Sequence, residues 1–147
     1  MSGIESVIKL LRETFLGVEK GGTQYIDSGK NSGLFSLINN LSAEEVSKNI
    51  NGTTIAAHVD HTRYHISLIN ESIKGNNPEQ DWDKSWKIKN VNDEEWEQIK
   101  EKLVDEFNLL IENTNDEVNN NQLEFMSSLA HSAYHFGALK QMVKFLK

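Results

Sequence analysis

Four stretches of this chain repeat apolar residues at intervals of three and four, and a single proline, Pro78, interrupts its 147 residues. That period is the period of an α-helix, and a chain that keeps it four times over, with few breakers, has little choice but to stack helices against one another. The first stretch, Ile4 to Val18, places Ile4, Val7, Ile8, Leu11 and Phe15 on one stripe. A Gly-rich connector, "EKGGTQYIDSGKNSG", leads to a short apolar piece from Leu34 to Ile38. "LSAEE" then offers a capping box, with Ser42 accepting from an amide three residues on and Glu45 reaching back. The second long helix is expected to start near Thr53 or Thr54 and to run to about Ile73, where "GNNP" stops it. A third helix follows the cap formed by Asn92 and Glu95, with Trp96, Ile99, Leu103, Phe107, Leu110 and Ile111 as its stripe. After the polar break "NTNDEVNNN", the fourth, about Gln122 to Phe145, is apolar nearly all round, as the most buried member of a bundle would be. The expected fold is an all-α helical bundle in one domain, 1–147.

Composition narrows the function. The chain has no cysteine, which removes disulfides, thiolate ligands and a cysteine nucleophile. Its formal net charge is −7 and its only arginines are Arg12 and Arg63. A duplex binder draws its affinity from Lys and Arg on phosphates, so nucleic acid is not an expected partner, nor is an anionic membrane surface. The N-terminal "MSGIESVIKLLRETF" carries charges within its apolar pattern, unlike a secretory signal, and a cytoplasmic location is expected.

The residues that invite chemistry are histidines. "FMSSLAHSAYHFGALKQM" sets His131 and His135 four apart, one turn above the other on the fourth helix, so both imidazoles can approach one cation from a rigid rod. The other three, His58, His61 and His65, fall on the second long helix. At about 100° per residue, His58 lies about 60° from the centre of the apolar stripe, His65 about 80° and His61 about 120°. That ranking turns His58 inward and puts His61 nearer the rim, although "HVDH" leaves His61 as a competitor. Neutral imidazole is a good ligand for divalent ions at pH 7, and three protein ligands leave a position for water or substrate. The alternative is that these are ordinary core histidines bonded to neighbours. Trp82, Trp86 and Trp96 are expected to pack the inter-helix loop onto the bundle, the alternative being that one of them lines a ligand pocket. Gly137 is expected to allow close helix packing beside His135, and Asp60 and Glu124 either accept from imidazole N–H groups or are solvated. The hydroxyls of Tyr64 and Tyr134 either face the site or belong to amphipathic core tyrosines.

"TIAAHVDHTRYHISLIN", "DWDKSW", "VNDEEW" and "AHSAYHFGALKQM" together resemble the DinB-like superfamily, and "SGLFSLINNLSAEEVS" is similar to an uncharacterised bacterial branch of it. The resemblance covers most of the chain. It implies an up-down-down-up four-helix bundle holding zinc or nickel, or manganese, through three histidines, carried over here onto His58, His131 and His135. It also implies a homodimer. Some relatives are thiol S-transferases acting with a low-molecular-weight thiol, which would make a small molecule the partner. A metal-dependent hydrolase and a non-enzymatic metal-binding protein are the alternatives.

Overall fold

In a computed structural model the chain is all-α. The structure describes residues 3–19, 22–26, 32–114 and 121–146. Most of the Gly-rich connector between 20 and 31 and the polar break at 115–120 lie outside them. Among the described residues there are six α-helices and no strand: α1 (Gly3–Leu16), α2 (Leu34–Asn39), α3 (Ala43–Val46), α4 (Ile55–Ile73), α5 (Asp93–Asn113) and α6 (Gln122–Lys144), with one 3₁₀ turn at Lys84–Trp86. No helix there is long and apolar enough to cross a membrane.

The ends are set by local chemistry. Ser42 and Asn92 each form a capping box, with Glu45 and Glu95 as the reciprocal partners. Thr54 caps α4 by accepting from the Ala57 amide. Its hydroxyl also donates to the Lys89 carbonyl at 2.6 Å, tying the far end of the 74–92 loop to the start of the helix. Helix α1 stops at Leu16, two residues short of the Val18 expected, because Gly17 adopts φ +100. Gly33 packs on that turn so tightly that a Cβ there would sit 2.4 Å from the Gly17 nitrogen.

Helix α4 is the axis of the fold. It packs against both α5 and α6 and against the 3₁₀ turn, while α1 lies on α6 and α2. Phe15, Phe35 and Phe107 meet with ring centroids 4.8–5.4 Å apart, joining α1, α2 and α5. Leu11, Leu34, Ile55, Ile66, Leu103, Leu110, Phe125 and Leu139 are fully buried around them. Asn70 crosses from α4 to α5, donating to the Glu106 carbonyl and carboxylate at 3.0 and 2.8 Å and accepting from Asn113.

Two expectations are corrected. Helix α6 is not the most buried helix: Leu123, Met126, Tyr134 and Phe145 are exposed along one side, and α4, gripped by three neighbours, takes the interior position. Gly137 does not serve close packing either, since a Cβ there would meet nothing within 4 Å.

Candidate metal centre

All five histidines converge between α4 and α6. On α4 the spacing i, i+3, i+7 of His58, His61 and His65 keeps them within an arc of about 60°. The HxxxH of α6 faces them. His131 Nε2 stands 3.1 Å from His61 Nε2, and His135 Nδ1 stands 3.0 Å from His58 Nδ1. His65 stacks flat on His131, with ring centroids 3.8 Å apart and planes 14° from parallel.

One nitrogen each from His61, His131 and His135 lie within 4.8 Å of one another, close enough to bind a single metal ion. His131 and His135 thus come together as the HxxxH pair suggested, with His61 as the α4 member of this set. His58 is placed beside His135. The wheel ranking of the two is reversed: His61 is 5% exposed, whereas His58 is only partly buried. The ranking assumed that only the apolar stripe of α4 is covered. In the fold the 74–92 loop closes over the opposite flank and buries His61 from the outside.

That loop is built for the purpose. The Tyr64 hydroxyl accepts from the Asp81 amide at 3.1 Å, and Asp81 Oδ1 accepts from the Lys84 amide, which starts the 3₁₀ turn. Trp86 then stacks on His61 at 4.1 Å and 16°, and meets His58 edge-on at 5.1 Å. Trp82 lies 5.8 Å from the His61 ring. Trp96 does a different job from its two neighbours: it is buried and donates from Nε1 to the Leu41 carbonyl at 3.0 Å.

Ser85 decides the protonation of His61. Its hydroxyl donates to the Trp82 carbonyl at 2.7 Å, so its single hydrogen is committed. It lies 2.9 Å from His61 Nδ1 and must therefore accept a proton from it. His61 is the Nδ1–H tautomer, and its Nε2 lone pair points at His131. This is the support that a metal-binding imidazole needs from a second group. Nothing in the sequence singles out Ser85, which acquires the role only when the loop folds over α4. Asp60, expected as such an acceptor, instead takes the Arg63 guanidinium at 2.8 Å. Glu124 lies in the first turn of α6, partly buried.

Burial keeps these rings neutral. It pushes His61 down to about 4, helped by the nearby His65 and His58 imidazoles and opposed by Asp60. Burial and the neighbouring imidazoles push His131 and His135 down to about 3. His58 and His65 are lowered by burial as well. At pH 7 every ring offers a lone pair.

The His61–His131 pair has the spacing of two ligands of one divalent cation. Two nitrogens bound tetrahedrally to zinc at about 2.05 Å stand about 3.3 Å apart, close to the Nε2–Nε2 separation of 3.1 Å found here. His131 Nδ1 is buried without a hydrogen-bond partner among the described residues, as are His65 Nδ1 and the hydroxyls of Ser128 and Ser132. Tyr134 touches His135 edge-on at 5.1 Å but is 75% exposed, and Tyr64 is engaged with the loop backbone. No protein-family model, curated protein or solved structure matches this chain.

Proposed function

We propose that the chain is a metal-dependent enzyme of the DinB-like kind, an up-down-down-up four-helix bundle that holds one divalent cation between α4 and α6 and acts on a small molecule. The observation that carries the reading is the approach of three neutral imidazoles, from His61, His131 and His135, to within 4.8 Å of one another. Imidazole donors suit zinc and nickel, with manganese as a weaker fit. In this reading His61 is the α4 ligand. His58, which the resemblance assigns to that role, orients His135 through the 3.0 Å contact between their Nδ1 atoms.

The favoured chemistry is thiol S-transfer. A divalent cation beside a thiol stabilises the thiolate and lowers its pKa. In the transfer the thiol sulfur bonds to a carbon of the electrophile, the leaving group departs with its bonding pair, and the thiol proton passes to solvent. The chain's part is to cover His61 with the stacked ring of Trp86 and to hold the imidazoles rigid through Ser85 and His58. The absence of cysteine leaves the external thiol as the sole sulfur nucleophile.

The test is the metal content of tag-free protein after incubation with Zn²⁺ or Ni²⁺. Wild type is expected to hold one ion per chain. His61→Ala should hold less than a tenth of that with its helical circular dichroism intact, while His58→Ala keeps the ion. Loss in His58→Ala and retention in His61→Ala would give the α4 role to His58. Full retention in both would remove the site. Thiol conjugation to monochlorobimane should rise with added Zn²⁺ or Ni²⁺, and a rate indifferent to chelation would eliminate the transferase.

A further inference from the structure

Next to the histidine cluster lies a second feature that metal binding does not use: a cavity of about 310 Å³ between α4, the start of the 74–92 loop and α6. Its walls include the apolar Leu68, Pro78 and Trp82 and the polar Asn77 and Gln80, together with His65. Among the described residues no aspartate, glutamate, lysine or arginine lines it, in a chain of which a quarter of the residues are charged. His65 is shared with the metal centre, because its ring also stacks on His131 at 3.8 Å. Trp82 is also common to both, reaching the rings of His61 and His65.

We infer that this cavity is the binding subsite for an uncharged, flat, partly apolar small molecule carrying an amide-like or carbonyl group. The volume is at the lower end of ordinary ligand pockets, which suits a guest of one or two rings. Leu68, Pro78 and the Trp82 ring supply apolar contact, and the side-chain amides of Asn77 and Gln80 supply both donors and acceptors. An ionised guest is disfavoured, because a carboxylate withdrawn from water here finds no cation to pair with. The inference rests on the metal-enzyme reading for its meaning. For a low-molecular-weight thiol that carries ionised groups, this cavity receives the electrophile and the thiol approaches from elsewhere.

The experiment compares two probes of one shape, 1-naphthamide and 1-naphthoate, titrated calorimetrically into the full chain freed of metal. Working without metal prevents the carboxylate from gaining affinity by ligating a cation. Naphthamide is expected to bind one per chain, at least tenfold tighter than naphthoate. Ser127→Trp, at the α6 edge of the cavity, should weaken it more than tenfold while leaving metal content and helicity unchanged; Gln80→Trp serves if that variant misfolds. Equal affinity for the two probes, no binding of naphthamide, or undiminished binding in the filled variant would each overturn the inference. The two readings fail separately. Naphthamide binding blocked by Ser127→Trp in a chain that takes up no stoichiometric metal keeps the cavity and removes the metal enzyme. One ion per chain with naphthoate bound as well as naphthamide removes the cavity assignment alone.

Discussion

Ser85 has one hydrogen to give, and it gives it to Trp82, which leaves the hydroxyl as an acceptor for His61 and turns the other imidazole nitrogen into a donor of electrons. Removing that support should weaken cation binding without unfolding the chain. Ser85→Ala is expected to raise the zinc dissociation constant about 10- to 100-fold, measured by competition with a chromophoric chelator. An unchanged constant would mean that His61 needs no such orientation. At this scale the sequence was partly legible. The HxxxH pair announces itself because one helical turn forces two rings onto one face. His61 was visible as a competitor of His58 and His65 only as a residue, and Ser85 was invisible, since it lies 24 positions from His61.

Among the elements, the caps were the readable part. Ser42 and Asn92 cap the helices they were expected to cap, and Thr54 caps the helix expected to start at it or at Thr53, because a hydroxyl or amide oxygen satisfies helix amides through residues only two or three positions away. Thr54 carries a second load through Lys89 that no local pattern announces. Thr54→Ala should therefore cost about 1–2 kcal/mol. In a chain of this length that lowers the melting temperature by roughly 2–4 °C per kcal/mol in a calorimetric scan. Thr54→Ser, which keeps the hydroxyl, should recover most of the loss; a drop as large in the serine variant would put the effect in the methyl group instead. The orientation of α6 was the unreadable part. A helix apolar on all sides does not say which side faces inward, and the fold turns Phe125, Phe136 and Leu139 in while leaving Leu123, Tyr134 and Phe145 out.

Across the whole molecule, the cluster of neutral imidazoles couples stability to pH. Their folded values, about 4 for His61 and about 3 for His131 and His135, lie below the ordinary 6.5. Between those limits the unfolded chain binds more protons, so stability rises with pH through that window and is lost as pH falls below about 6.5. The metal-free protein should melt more than roughly 5 °C lower at pH 5 than at pH 7.5. The His131→Gln, His135→Gln double variant should show a flatter profile, and an equally steep one would place the effect in the carboxylates. The exposed side of α6 bears on assembly. Leu123, Met126, Ala130, Tyr134 and Gly137 follow one another at helical spacing with no charge among them, although the chain carries −7 overall. The homodimer implied by the DinB-like resemblance would let a second copy of the chain meet this stripe without like-charge repulsion. Sedimentation should give twice 16.7 kDa for wild type and a monomer for Tyr134→Glu; a wild-type monomer at micromolar concentration would dismiss the pairing.

The sequence by itself determined that the chain is helical, where most helices begin and end, and that two histidines share a face of the last one. Those properties follow from period, caps and breakers, all of which act within a few residues. Only the tertiary structure decided that α4 is central, that His61 is the more buried of two candidates, that a loop serine sets its tautomer, and that a cavity adjoins the cluster. Each depends on which surfaces of separate helices and loops cover one another. Contacts between residues dozens of positions apart settle that, and no local spacing encodes it.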